Sequence, residues 1–319
     1  MNEVVISGKS IFLQTQLCCT IVQIIDMYSK ACYNTDIERF RSYSSIFSRS
    51  VFTRLIKFDD YSTINLVGKT YDKDRINGKT TYADYLDWVY LSLVAQYRTE
   101  YVFKNALTNK IISHNKGKSI TVFNEFRVGD SIADIATFNG KSRVYEIKTA
   151  LDTPKRLASQ TKDYFKFFQE CYLVVSKDIV GNYLPCVDDR MGILTVNETN
   201  GKITIAKYRI AKTQYDNMDI EVLMRVLRIK EYEYIIKKHY GRLPNVGYFE
   251  MFGACKEMMG KIPVEKLSKM VVEVIKTRKR CDVLFNNEKK NLTQMCLALN
   301  FNARQYVHLC DNLNKTIIL

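Results

Sequence analysis

The sequence predicts an α/β fold: a helix, a three-strand antiparallel meander, a crossover helix and a parallel strand, flanked by helical N- and C-terminal regions. Three observations carry this. Two turn signals, Gly129-Asp130 and Asn139-Gly140, divide a β-rich stretch into three short runs. A helical segment follows them. After it, Cys171–Ser176 (Cys-Tyr-Leu-Val-Val-Ser) is a short apolar run without turn residues, suited to the buried centre of a sheet. A helix joining two strands of one sheet is a crossover, so this last strand is expected to lie parallel to its neighbour.

Ile11–Tyr28 reads as helical and the rest of the N-terminal region as irregular, with basic and aromatic residues over Arg39–Phe58. A second helical stretch runs from about Tyr82 to Ile112 with a break near Gln96. Its apolar residues Leu86, Val89, Leu93, Tyr97 and Tyr101 recur at three- and four-residue steps. His114–Lys118 reads as a loop. The texture changes at Ser119, and strands are expected at Ile120–Val128, Ser131–Phe138 and Ser142–Lys148. In the next helix Asp152 or Thr153 is the cap, Pro154 suits the first turn, and the helix runs to about Glu170. Gly192–Val196 and Ile203–Ile210 carry weaker strand signals. From Gln214 onward the chain reads as helices, one of them beginning at Pro263 with Val264, Leu267, Val271, Val274 and Ile275 on one face. The expected division is a helical region at 1–84, a core at 85–212 and a helical region at 213–319.

The chain has 319 residues, 46% hydrophobic and 26% charged, which excludes a disordered polymer; 13 Gly and 4 Pro exclude a collagen-like one. With 48 Lys+Arg against 34 Asp+Glu the net charge is +14. Residues 1–142, 143–214 and 215–319 are each net positive, so the excess is not a detachable tail. Such a balance points to a polyanion, either nucleic acid or an anionic membrane. No apolar run is long enough to span a bilayer, so a membrane span is not expected; the motifs of the meander turn the expectation to nucleic acid, with no membrane as partner. The nine cysteines (Cys18, Cys19, Cys32, Cys171, Cys186, Cys255, Cys281, Cys296 and Cys310) form no CxxC pair, and Met1–Ser10 lacks a signal-peptide pattern. They are expected to be reduced, mostly buried thiols of a cytoplasmic protein. Three scattered histidines, His114, His239 and His308, give little support to a zinc cage or a His-based triad.

The chemistry concentrates in the meander, where Asp134 lies in Ile-Ala-Asp-Ile-Ala and Glu146-Ile147-Lys148 follows twelve residues on. Side chains alternate along a strand, so Glu146 and Lys148 share a face while Tyr145 and Ile147 point the other way. A two-residue Asn-Gly loop would set Asp134 opposite Tyr145. A three-residue loop, Asn139–Lys141, pairs Phe138 with Ser142 and sets Asp134 opposite Glu146, gathering two carboxylates and an ammonium. The longer loop is therefore expected, with Gly140 in a left-handed conformation. Two carboxylates on adjacent strands can hold Mg2+ or Mn2+ through oxygen while leaving positions for water and phosphate. A nearby lysine orients that water or stabilises the charge that develops.

This pattern resembles the PD-(D/E)xK nuclease superfamily, with Asp134 matching its first acid and Glu146-Ile147-Lys148 its ExK element; Ala133 stands where the family often has Pro. The element order is similar to that superfamily's restriction-endonuclease-like core. Glu100, 34 residues before Asp134, matches the further acid that a preceding helix supplies in many members. Gln160-Thr161-Lys162-Asp163-Tyr164 resembles the QxxxY element of RecB-type exonucleases, its Gln and Tyr on one helix face. A wider resemblance, from about Glu100 to Ser176 and centred on Glu125–Asp130, is to an uncharacterised bacterial family of nuclease-like proteins.

The resemblance implies a metal-dependent nuclease hydrolysing phosphodiester bonds, DNA being favoured over RNA. Asp134 and Glu146, with Glu100, would hold Mg2+ (or Mn2+), Lys148 would position the nucleophile, and Gln160 and Tyr164 would shape the substrate side. Glu125 is a weaker ligand, since a Gly129-Asp130 turn sets it opposite Asp134. Lys155, Arg156, Lys162 and Lys166 crowd the helix after the site as phosphate contacts. Lys276–Arg280 fits the negative end of a helix slightly better than a second contact. The alternatives are a catalytically silent nucleic-acid-binding or regulatory module, or a scaffold for a protein partner; homo-oligomers are open.

Overall fold

A computed structural model describes residues 36–116, 120–278 and 289–319. The helix expected at Ile11–Tyr28, the thiols Cys18, Cys19, Cys32 and Cys281, and the end of the Lys276–Arg280 run lie outside the described residues.

A six-stranded mixed sheet, with strands adjacent in chain order, forms the middle layer. Strands β1 (Thr121–Val128), β2 (Ser131–Asn139) and β3 (Lys141–Lys148) form the antiparallel meander. After helix α6 (Leu157–Phe165), β4 (Glu170–Ser176) pairs parallel to β3. The short helix α7 (Val180–Tyr183) leads to β5 (Gly192–Thr199), parallel to β4, and β6 (Lys202–Arg209) closes the edge antiparallel. Both faces are covered, and consecutive apolar residues such as Leu173, Val174 and Val175 are therefore all buried.

One face carries α1 (36–46), α2 (Arg49–Phe58), α3 (Ser62–Tyr71), α4 (Tyr82–Gln96) and α5 (Glu100–His114), whose apolar residues pack on Ile135, Tyr145, Ile147 and Val174. Helices α12 (Thr293–Leu299) and α13 (Ala303–Leu313) return to this same layer. The other face carries α6 with α8 (Ile220–Val226), α9 (Ile229–Tyr240), α10 (Met251–Gly260) and α11 (Val264–Lys276), packed on Phe126, Phe138, Val144 and Leu173. The layers thus do not follow chain order, for the C-terminal helices divide between the two faces. No helix among the described residues is long and apolar enough to cross a membrane. Of the described cysteines, Cys171, Cys255 and Cys296 are buried and Cys186 is exposed.

The reading of the chain needs three corrections. Arg39–Phe58 is helical rather than irregular, in α1 and α2. Each helix here is short, α2 only 10 residues with Val51, Phe52 and Leu55 buried, so no sustained period marks it. The crossover helix ends at Phe165 rather than near Glu170, because Phe167 and Phe168 turn into the core and Glu170 opens β4, paired with Lys141 and Arg143. Neither Asp152 nor Thr153 caps it. Asp152 accepts from the Thr149 N–H at 2.8 Å instead, and Pro154 lies in a 3-10 turn.

The turn between β2 and β3 takes the expected register, Phe138 opposite Ser142, with Gly140 at φ +70°. A Cβ at Gly140 would meet nothing within 4 Å, so only its backbone conformation demands glycine. Gly140→Ala is expected to lower stability by about 1–2 kcal/mol, read from urea unfolding midpoints. An unchanged midpoint would release Gly140 from this role.

Candidate active site

The described ladder between β2 and β3 ends at Ile135 opposite Tyr145. One residue further on, Asp134 accepts the Ile147 N–H on Oδ2 at 2.7 Å, so its carboxylate takes over from the backbone where the strands part. Along β3, Tyr145 and Ile147 enter the core beneath α5, while Glu146 and Lys148 turn toward α6. Glu146 retains 3% exposure and Lys148 7%. Charges buried to this degree need partners.

The partners come from α6, where Gln160 and Tyr164 share the inward face one turn apart. Lys148 Nζ donates to Glu146 Oε1 (2.7 Å) and Gln160 Oε1 (3.1 Å), and Gln160 Nε2 donates to the same Glu146 Oε1 (2.7 Å). The three side chains close a ring. Tyr164 Oη donates to Glu146 Oε2 at 2.6 Å, with the Ile132 carbonyl 3.1 Å away. Burial, then the Glu146 charge, hold the Tyr164 phenol far above its ordinary range, so it stays a donor.

A second group comes from α5. Glu100 is its first residue, and Lys104 lies one turn on. The Lys104 ammonium bridges Glu100 Oε1 (2.5 Å) and Asp134 Oδ1 (2.9 Å). Burial acts to strip Lys104 of its proton, but the Asp134 and Glu100 charges outweigh it and hold the ammonium above its usual range. Burial also drives the Asp134 carboxyl up. Lys104 pulls it back and Glu146 and Glu100 push it up again, leaving it at about 6. Access is graded: the side chains of Lys104 and Asp134 are 10% and 17% exposed, whereas that of Glu100 is 54% exposed.

All six residues singled out for the site (Glu100, Asp134, Glu146, Lys148, Gln160 and Tyr164) therefore belong to two linked groups. Glu125 does not join them. Its backbone adopts φ +56°, which breaks the β1 register beside Asp134, and its carboxylate pairs with Arg49 at 2.8 Å. Lys104 and the Ile147 N–H were not foreseen; the Glu100–Lys104 spacing was the available signal for the first. Lys155 and Arg156 are exposed on the 3-10 turn before α6 and Lys162 on α6 itself, away from its buried face, and Lys166 pairs with Asp163 at 3.0 Å. A cavity of about 940 Å³ lined by Asp87, Tyr90, Asn105 and Asn291 contains none of the site residues.

Among the described residues, no group of three or more His, Cys, Asp or Glu side chains stands ready to hold a metal ion. Lys104 lies between Glu100 and Asp134, and Glu146 is turned toward α6. The donor chemistry nevertheless fits a hard divalent cation, because the acids supply oxygen alone and a cationic group already sits between two of them. An ionised carboxylate has about four acceptor positions; Glu146 fills three, with Lys148, Gln160 and Tyr164, and Asp134 two, with Lys104 and Ile147.

The family model described as Bacteriophage P4 protein cII matches residues 94–299, a span that includes every site residue. No curated protein matches the sequence. A solved structure, the SPO1766 protein of unknown function from Silicibacter pomeroyi, is 14% identical. The similarity covers 46% of this chain and 94% of that one at a TM-score of 0.30, too low to carry an argument.

Removing one partner from the buried ring leaves the other uncompensated. Lys148→Met is expected to cost about 3–5 kcal/mol in denaturant unfolding, and adding Glu146→Gln to recover most of it. Strictly additive single and double variants would show that the two charges are not coupled.

Proposed function

The chain belongs to the bacteriophage P4 protein cII family, and within that family we propose that this protein is a metal-dependent nuclease of PD-(D/E)xK type, hydrolysing phosphodiester bonds in DNA. The observation that carries the reading is the closed ring of Glu146, Lys148 and Gln160, capped by Tyr164 and adjoining Asp134. Desolvating ions costs several kcal/mol each, and an apolar hairpin would hold the sheet together without that cost. Buried charges fixed in advance are what stabilisation of a developing charge requires. The order of α5, the β1–β3 meander, α6 and β4 agrees with a restriction-endonuclease-like core.

Asp134 and Glu146 would hold Mg2+ (or Mn2+), with Glu100 as a further ligand from α5. Such an ion supplies a polarised phosphodiester and a bound water of lowered pKa. Lys148 donates two of its three ammonium protons to Glu146 and Gln160; the third would be left for the attacking water or the phosphate. Gln160 and Tyr164 commit their polar atoms to Glu146, Lys148 and the Ile132 carbonyl, so they orient Glu146 rather than meet the substrate. The exposed Lys155, Arg156 and Lys162 offset the local acidity by holding neighbouring phosphates.

A second reading, a catalytically silent nucleic-acid-binding module, draws on the Lys104 ammonium, which already occupies the place of a cation between Glu100 and Asp134. One assay separates the two. Wild-type protein and Asp134→Asn, each checked for folding by circular dichroism, are incubated with plasmid, linear duplex or RNA in Mg2+, Mn2+ or chelator. The nuclease cuts DNA only with metal, and Asp134→Asn lowers the rate by about a hundredfold or more. Salt-sensitive DNA binding without metal-dependent cutting would establish the silent module instead, and cutting of RNA alone would move the substrate.

A further inference from the structure

Lys104 is the one member of the site that the proposed chemistry leaves without a task. Its ammonium has 10% of its side chain exposed and lies 2.5 Å from Glu100 Oε1 and 2.9 Å from Asp134 Oδ1, the position of a cation shared by two carboxylates. With Asp134, Glu100 and Glu146 ionised, the site holds three negative charges against the two positive charges of Lys104 and Lys148. A divalent ion added to both lysines would leave it net positive; exchanged for Lys104 it leaves it neutral. Two cations cannot share Asp134 Oδ1 at this depth without strong repulsion. The lysine also has somewhere to go, because Glu100, one turn away, is 54% exposed and marks the solvent side of the site.

We propose that Lys104 is a resident counter-cation that a divalent ion must expel in order to bind between Glu100 and Asp134. This inference rests on the metal-dependent reading of the site. Empty of metal, the lysine keeps the acids from repelling one another. Loaded, it is driven out, so the carboxylates are never without a cation. Metal affinity is thereby held down by the cost of expulsion, and Lys104 acts as a positioning residue.

Two measurements test this without relying on cleavage. In the wild-type protein, labelling of Lys104 by an amine-acylating reagent is followed by mass spectrometry with and without Mg2+. Expulsion predicts an increase of about tenfold, reversed by chelator, whereas equal labelling under conditions where Mn2+ is bound overturns the proposal. Mn2+ binding is then measured by the loss of the free-ion electron paramagnetic resonance signal. Lys104→Met, which keeps length without charge or a metal-binding atom, is expected to bind about tenfold or more tighter than wild type. The gain should vanish in Lys104→Met with Asp134→Asn, and Lys104→Arg should return affinity toward the wild-type level. Unchanged or weaker binding by Lys104→Met, with wild-type binding abolished by Asp134→Asn, sinks the role of Lys104 and leaves the metal site standing. Absence of Mn2+ binding in every variant removes both.

Discussion

The buried carboxylate of Glu146 is the constraint around which this molecule is arranged. A charge with 3% exposure inside a sheet covered on both faces has no water to solvate it, so protein groups must do so. That requirement explains why Lys148 lies two residues on along the same strand face and why α6 presents an amide and a phenol inward. It also bears on where α6 sits, for Gln160 and Tyr164 reach Glu146 only when the crossover is packed tightly on β3. The same crossover returns the chain so that β4 pairs parallel to β3.

Asp134 is held differently. It stands just past the end of the ladder, where a backbone N–H, a lysine from another layer and partial solvent access share the work. Two acids brought together by one hairpin thus differ in surroundings, one locked by α6 and the other open toward α5. Such asymmetry suits a site in which one ligand must keep its orientation while another exchanges partners. It also accounts for the Asp134 carboxyl being driven up to about 6, chiefly by burial and then, against Lys104, by its acidic neighbours.

Much of this arrangement was readable from residue order because it depends on periods of two and four. Only one loop length sets Asp134 beside Glu146, and Gly140 permits it; Gln160 and Tyr164 are four apart and so share a face. Lys104 escaped because a Glu–Lys pair one turn apart ordinarily sits in solvent. That its ammonium extends to Asp134 depends on how α5 docks, which no local pattern encodes. Glu125 misled for the opposite reason: a strict strand register puts it beside Asp134, and a single residue with positive φ takes it out toward Arg49. The helices between residues 36 and 71 are too short to show a period, and their apolar residues acquire meaning only against α4, α5, α12 and α13. Phe167 and Phe168 read equally well as a helix end, and only their burial separates the turn from α6.

The return of the chain to the layer that carries α5 has a bearing on the order of assembly. Tyr101 donates to the Asn291 carbonyl, Asn312 to that of Leu55, and Thr81 bridges to Thr316, contacts joining residues about two hundred or more apart in the chain. The hairpin with Asp134 and Glu146 closes over a single turn, and α6 follows within a short loop. Loop-closure entropy therefore favours the hairpin and α6 first, with the layer of α5, α12 and α13 sealing afterwards. During that interval Glu146 already has its partners from β3 and α6, and the Asp134 carboxylate, which faces α5, is still hydrated and carries little cost. Its desolvation coincides with the arrival of the helix that brings Lys104, so folding need not pass through a state in which either acid is dry and unpaired.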